Sequence, residues 1–430
     1  MNTRFINARI LSMEGNLDII KGELWVEGNT ITYVGDSLTD KDIADKNVKF
    51  DRVIDVKENL LMPGFKDAHT HSAMTGLRSY ADDLPLQEWL FEKIFPIEAK
   101  LDADIVYEFS RLAILEYLTS GITSVFDMYM YPDRTADVFA DMGMRIAMCC
   151  DINQFGPDFE EVEARYLRIN GKYDLVKYMI GFHAEYTCNR ELLEKISGLA
   201  HKYKEPVFTH SSETAKEVKE CIERHGVTPT QLFDELGLYD FGGGGYHCVH
   251  MSDRDIEIFK EKKLHVVSNP GSNVKLASGI APISKFLNAG INVALGTDGP
   301  SSNNCLDMFR EMFLVTGLAK ILEEDASAVP ATEVIKMATV NGAKAMYYDD
   351  CDTLAVGKKA DIIMIDLRQP NMQPINNIVT NLVYSGSKTN VKMTMINGKI
   401  LYEDGKFVGV NAEEIYDNSN KYMEILKSRL

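Results

Sequence analysis

Apolar residues in the middle of the chain come in short blocks that repeatedly end on a polar or ionisable side chain. Eight blocks, at 60–71, 122–128, 145–151, 178–184, 206–210, 245–249, 265–269 and 292–298, have the length and the β-branched or aromatic content of buried strands. Between most of them apolar positions recur at helical spacing, most clearly over 103–118, which stops before Gly121, and over 190–203. Alternating strands and helices predict an α/β fold closed as a (β/α)8 TIM-like barrel. An open doubly wound sheet is the competing arrangement. The barrel is preferred because metal-ligand residue types recur at the ends of the first, fifth, sixth and eighth blocks. Only a closed barrel gathers those ends around one axis.

Both ends of the chain carry shorter blocks punctuated by turns: 5–11, 19–26 and 30–34 at one end, 361–365 and 391–396 at the other. Asn397-Gly398-Lys399, directly after the last of these, is a hairpin signal. The two ends predict a small β-sandwich domain built from both termini. Its parts are 1–60 and 348–430, the second including a C-terminal helix, around a barrel at 61–347. Gly242 to Gly245 reads as a flexible or tightly turned entry to the sixth strand. A phosphate cradle is disfavoured there, because no helix start with a Lys or Ser/Thr signature follows.

Composition narrows the partners. The 430 residues suffice for a large core. The formal net charge of −18 disfavours nucleic acid and anionic membranes, both of which need a basic footprint. A small-molecule substrate is expected, and a homo-oligomer is compatible with the sequence. The seven cysteines are odd in number and include no CxxC pair, which reads as reduced thiols in the cytoplasm. The start of the chain lacks the apolar segment of a secretory signal, and no apolar run is long enough to cross a bilayer.

His69-Thr70-His71 closes the first block. On a strand, side chains at i and i+2 share a face, so the two imidazoles can grip one ion from one side. Phe208-Thr209-His210 and Leu295-Gly296-Thr297-Asp298 repeat the pattern in the fifth and eighth blocks. Three imidazoles and one carboxylate make a mononuclear hydrolytic site suited to zinc, with iron(II) the alternative. Such an ion lowers the pKa of bound water. Glu213, three residues beyond His210, is placed to move protons without being a ligand, and Asp298 is placed to receive one from the attacking water. His247 ends the sixth block, where it can orient the nucleophile or polarise the electrophile. His250 cannot share its face in a regular strand and reads as structural or supporting. His201, His225 and His265 read as surface or capping residues.

Pro63-Gly64 ahead of His69-Thr70-His71 is followed by Asp82-Asp83-Leu84-Pro85-Leu86-Gln87-Glu88-Trp89-Leu90. Later come Ser272-Asn273-Val274-Lys275-Leu276-Ala277-Ser278-Gly279 and Gly296-Thr297-Asp298-Gly299. In this order the motifs resemble the amidohydrolase superfamily, and within it the S-adenosylhomocysteine/5'-methylthioadenosine deaminase group, over nearly the whole chain. The resemblance implies one divalent ion at His69, His71, His210 and Asp298, with Glu213 as proton shuttle and His247 as an active-site histidine. It also implies substrate contacts from Glu98, His183 and Trp89, the two Glu98 oxygens suiting two ribose hydroxyls. Binuclear members carry a bridging carboxylated lysine at the end of the fourth strand. Here Tyr178-Met179-Ile180-Gly181-Phe182-His183 offers none, so one metal is expected.

Two departures bear on the substrate. The group has Ala-Pro after the fourth-strand histidine, where this chain has Ala184-Glu185. The group also places arginines after the third strand, where they can hold a substrate carboxylate. Here the stretch from Cys149 to Phe155 holds none, Asp151 adds a negative charge, and Arg145 lies earlier. A neutral 5' substituent is therefore expected to be accepted at least as well as a homocysteine tail. The expected activity is hydrolytic deamination of an adenosine-type nucleoside (adenosine, 5'-deoxyadenosine, methylthioadenosine or S-adenosylhomocysteine) with release of ammonia. The alternative is an aminohydrolase or halohydrolase of a free base, pterin or triazine. A non-catalytic scaffold barrel is expected to have lost metal ligands, and all four are retained.

Overall fold

The computed structural model describes every residue except 46, 47, 151, 155, 157 and 158. Its centre is an eight-stranded parallel sheet in which each strand pairs with the next in sequence. The strands are Phe65–Thr70, Ile122–Met128, Arg145–Cys149, Val176–Ala184, Val207–Ser211, Gly243–His247, His265–Ser268 and Asn292–Leu295. The eighth strand returns to the first through a bridge between Thr70 and Asp298, where the Asp298 N–H donates to the His69 carbonyl at 2.9 Å. Ala68, Ala147 and Ala294 alternate with Phe126, Phe208 and Tyr246 in the barrel interior, so small and large side chains fill it as a packed core. A second, larger apolar layer lies between strands and surrounding helices. The helix Ala103–Thr119 starts where the Asp102 carboxylate accepts from Asp104 and Ile105 N–H groups. Asn189 caps Arg190–Tyr203 in the same way through Leu192.

The block at 60–71 is not one strand. Leu60–Pro63 pairs with Thr3–Leu11 and Ile362–Ile365 outside the barrel, and only Phe65–Thr70 belongs to the barrel. Both halves are buried throughout, so hydrophobicity alone carries no sign of the break. Gly64 sits between them because a Cβ there would lie 2.0 Å from Thr123 Cγ2. The glycine run is also more than an entry turn. Gly243 and the two glycines after it open the sixth strand itself. A Cβ at Gly243 would meet the Val207 carbonyl oxygen at 1.9 Å, and one at Gly244 the His265 carbonyl at 2.3 Å. Glycine here lets three strands approach closely.

The termini form a nine-stranded mixed sheet that takes strands from both ends of the chain and encloses its own apolar core of residues such as Phe5, Leu24, Ile362 and Met395. Val391–Ile396 and Lys399–Glu403 make the expected hairpin, with Asn397 and Gly398 both at positive φ (50° and 76°), as a primed turn requires. The C-terminal helix Ala412–Lys427 lies on Ala103–Thr119.

Barrel and terminal sheet are joined at the N-terminal ends of the strands by buried charge. Arg145 donates to the Asp361 carboxylate through Nε at 2.8 Å and Nη2 at 3.1 Å, and the Asn397 N–H adds a third bond at 2.8 Å. Lys66 Nζ lies 3.8 Å from the same carboxylate and donates to Thr123 Oγ1 at 2.9 Å. Burial works to raise the Asp361 pKa, but Arg145 and Lys66 outweigh it and hold the carboxyl below its ordinary value. Arg145 is thereby committed to the barrel floor. Asp361→Ala leaves two buried cations without their anion and is expected to destabilise the fold by about 3–5 kcal/mol. Chemical denaturation checks this, and a loss under 1 kcal/mol would show that the two cations find other partners.

Candidate active site

The C-terminal strand ends open into a cavity of about 570 Å³, within the usual size range of small-molecule sites. His69 and His71 come from the first strand and the residue after it, His210 from the fifth, His247 from the sixth, and Asp298 from the loop after the eighth. Ligand atoms of His69, His210, His247 and Asp298 all lie within 4.8 Å of one another. His71 joins them through Asp298: its Nε2 is 3.1 Å from Asp298 Oδ1, and His69 Nε2 is 3.3 Å from the same oxygen. The structure thus brings together all four expected ligands and adds His247 to the cluster.

The ring nitrogens are arranged for a cation. His71 Nδ1 is bonded to the Met128 carbonyl, and His210 Nδ1 to the His183 carbonyl at 2.7 Å. A carbonyl only accepts, so each Nδ1 carries the hydrogen and each Nε2 lone pair faces the cluster. Both nitrogens of the buried His69 lack a hydrogen-bond partner among the described residues, a costly arrangement that metal ligation relieves. Burial pushes the His69 pKa down to about 3 and that of His210 well below its ordinary value, so both rings are neutral, as ligands must be. Burial also opposes charge on His71, but its hydrogen bond to Asp298 and the Asp298 charge outweigh burial and lift it to about 9. A proton and a metal ion compete for that nitrogen. Burial opposes ionisation of Asp298 too, yet the His69 and His71 rings beside it hold its pKa well below the carboxylate range.

Glu213 lines the cavity beside this cluster, with Oε2 3.9 Å from His247 Nε2 and Oε1 accepting from Ser278 Oγ at 3.1 Å. Burial raises its pKa, in the direction a proton shuttle needs. For His247, burial is outweighed by the charges of Glu213 and Asp298, and the pKa rises. The backbone under these groups is strained: Ser212, His247 and Asp298 have φ of 52°, 70° and 58°. Such conformations cost roughly 1–3 kcal/mol each and persist where surrounding contacts over-determine them. Glu217 supplies two of those contacts, accepting from the Ser212 and Glu213 N–H groups at 2.9 and 2.8 Å. Ser272 and Ser302 supply two more, donating to Asp298 Oδ2 at 2.6 and 2.8 Å.

The expected substrate contacts line the same cavity. Tyr129 OH donates to Glu98 Oε1 at 2.6 Å, and His183 Nδ1 is bonded to Thr187 Oγ1 at 3.0 Å. Trp89 is buried at the start of a π-helical turn, Trp89–Ile94, and its indole N–H has no partner among the described residues. Glu185, where the motif departs from its relatives, is buried and pairs with Arg224 and with His225 Nε2 at 3.1 Å. His250 is structural, bonded to the Ser278 carbonyl at 2.7 Å. His201 pairs with Asp240 at the surface, as expected, whereas His265 is buried in the seventh strand rather than exposed.

Cys149 to Phe155 holds no arginine, and Asp151 and Phe155 lie outside the described residues, but the cavity does have a cation. Arg165, from the helix Phe159–Ile169, lines it and pairs with Glu161 at 3.2 Å. Its place on an exposed-looking helix hid it from a motif search. Tyr129, Ser278 and Glu217 were missed as well. A tyrosine directly after the second strand was the available signal for the first.

Comparison with known proteins agrees with this geometry. Residues 60–401 match the model of the amidohydrolase family. The chain is 42% identical over 424 residues to a 5-methylthioadenosine/S-adenosylhomocysteine deaminase of Caldanaerobacter subterraneus subsp. tengcongensis, covering 97% of this chain and 96% of that one. It is 38% identical over 432 residues to a 5'-deoxyadenosine deaminase of Methanosarcina acetivorans, covering 98% of each. Among solved structures, an adenosine deaminase from Xanthomonas campestris with bound zinc superposes with a TM-score of 0.92 at 30% identity, covering 99% of this chain and 98% of that one.

Proposed function

The chain belongs to the amidohydrolase family, and from that premise we propose that it is a metal-dependent hydrolytic deaminase of adenosine-type nucleosides. The observation that carries the reading is one cavity lined by His71, His210 and Asp298, by Glu213, and by Glu98. His69, His71, His210 and Asp298 would hold one divalent ion, zinc being favoured by three imidazoles and a carboxylate. When bound, the ion supplies Lewis-acid activation of water near neutral pH. Asp298 accepts the proton of the attacking water, and Glu213 delivers a proton to the ring nitrogen next to the carbon that bears the amine. The water oxygen bonds that carbon, the carbon–nitrogen bond breaks as the departing amine takes the remaining hydroxyl proton to leave as ammonia, and the proton held by Asp298 restores Glu213. His247, beside Glu213, orients the nucleophile. Among the described residues no helix is long and apolar enough to cross a membrane.

Ammonia release from a panel of nucleosides, free bases, pterins and triazines tests the reading. Turnover of nucleosides is expected. Turnover confined to bare heterocycles would overturn it. Glu98 gives a sharper check. Losing a charge-assisted hydrogen bond costs about 1.5–3 kcal/mol, so Glu98→Ala is expected to lower kcat/KM for ribosides by about tenfold or more while sparing the free base. Equal loss on both would make Glu98 a structural residue.

Arg165 revises the expectation for the 5' substituent. A cation on the cavity wall gives the homocysteine carboxylate a partner, which supports S-adenosylhomocysteine as a substrate beside the neutral nucleosides. Arg165→Met is expected to lower kcat/KM for S-adenosylhomocysteine by about tenfold and leave 5'-deoxyadenosine within about twofold. Steady-state kinetics on the pair decides, and an equal effect on both would remove Arg165 from tail recognition.

A further inference from the structure

The loop after the seventh barrel strand, which opens with the short helix Pro270–Lys275, carries none of the expected ligands, yet it touches three groups on the reacting side of the cavity. Ser272 Oγ donates to Asp298 Oδ2 at 2.6 Å. Asn273 Oδ1 lies 2.8 Å from His247 Nδ1. Ser278 Oγ donates to Glu213 Oε1 at 3.1 Å. All three loop residues are buried, and two of the three groups they hold, His247 and Asp298, have backbones in the left-handed region. An amide oxygen only accepts, so the bond from Asn273 places the His247 hydrogen on Nδ1 and turns Nε2 toward Glu213.

The loop is itself fastened at both ends. At its start the Gly271 N–H donates to the buried Glu311 carboxylate at 2.7 Å. In its middle Lys275 Nζ pairs with Asp82 and donates to the Ser301 carbonyl at 3.2 Å. At its end His250 Nε2 donates to the Ser278 carbonyl at 2.7 Å, and Ala277 and Gly279 take positive φ of 53° and 128° to bring Ser278 inward. Leu276 packs in the same apolar cluster as Trp89 and Tyr129, and so faces the substrate cavity.

We propose that residues 270–279 form a positioning loop: Asn273 fixes the tautomer and ring orientation of His247, Ser278 fixes the Glu213 carboxylate, and Ser272 fixes Asp298. The three are positioning residues that act through the groups they hold. The inference deepens the deaminase reading and rests on it for its kinetic half only.

The test uses the metal-loaded full chain in two arms. In the first, histidine is labelled with 15N and long-range 1H–15N spectra are compared for wild type, Asn273→Ala and His247→Gln, the last identifying the His247 signals. Wild type is expected to show the Nδ1–H tautomer for His247, and Asn273→Ala to lose it. Retention of that tautomer in Asn273→Ala would overturn the role of Asn273 whatever the substrate is. In the second arm, Ser278→Ala is expected to lower kcat by about tenfold to a hundredfold, the scale of one hydrogen bond to a charged group, with KM within about threefold and bound metal unchanged. Ser278→Thr, which keeps the hydroxyl, restores kcat to within about threefold of wild type. A threonine variant as slow as alanine, or metal lost together with activity, would reduce the contact to a structural one. Wild-type silence on every nucleoside would overturn the deaminase reading instead, and the spectra alone would then decide the loop's role.

Discussion

His71→Ala is expected to lose the bound metal and all measurable turnover together, while His247→Ala keeps the metal and loses only turnover. The two residues are separated by what their free nitrogens face. His71 Nε2 lies 3.1 Å from Asp298 Oδ1, the oxygen that His69 Nε2 also approaches at 3.3 Å, and its other nitrogen is tied to a backbone carbonyl. Removing it would take one of the four proposed donors from the cation, and hydrolytic sites of this kind have no spare donor beyond the position kept for water. His247 lies close enough to the cluster to ligate, but its Nε2 is 3.9 Å from the Glu213 carboxylate and its Nδ1 is held by Asn273 Oδ1 at 2.8 Å, which sets the ring on the Glu213 side of the cluster. Metal analysis of dialysed protein, beside ammonia release from a nucleoside, separates the two variants. One full equivalent of metal in His71→Ala would remove that residue from the ligand set. Loss of metal from His247→Ala would put His247 in it.

How much of this site was legible along the chain follows from how far each contact reaches. His69, His71, His210 and Asp298 each end or follow an apolar strand, a signal contained within a few residues. The eight barrel strands were legible for the same reason, since a fully buried block such as Ile122–Met128 needs only local composition to be seen. The break at Pro63-Gly64 was not, because burial is continuous across it and what divides the two strands is a steric conflict with Thr123. Ser272, Asn273 and Ser278 stand in a motif visible in the sequence, but their partners lie 26, 26 and 65 residues away, and nothing in local spacing points to them. Arg165 is the opposite case. Its i,i+4 pairing with Glu161 on an amphipathic helix is the signature of a solvated face, and only the closing of the barrel turns it to the cavity. That single side chain places a cation on the cavity wall, so a residue outside the motifs bears on the proposed recognition of an anionic tail.

Glu213→Gln is expected to keep the metal and bind nucleoside at near wild-type strength while kcat falls by about 10²–10⁴-fold, the usual worth of a positioned acid–base group. Glutamine preserves the shape of the side chain, and its amide can still meet Ser278 Oγ, now 3.1 Å from Glu213 Oε1. It cannot take up a proton and release it. Burial raises the Glu213 pKa, so the carboxyl holds a proton closer to neutral pH than an exposed glutamate does, as a group that must both receive and deliver requires. Glu217 fixes the Ser212 and Glu213 backbone independently of the side chain exchanged, so the strand end and the proposed ligand His210 stay in place. Glu98, the residue proposed to hold the ribose, is likewise untouched, so KM is expected to stay near that of wild type. Metal content, nucleoside affinity by titration and kcat from ammonia release give the three readouts. Turnover within about tenfold of wild type would move the proton transfer to His247, whose Nε2 lies 3.9 Å from the Glu213 carboxylate.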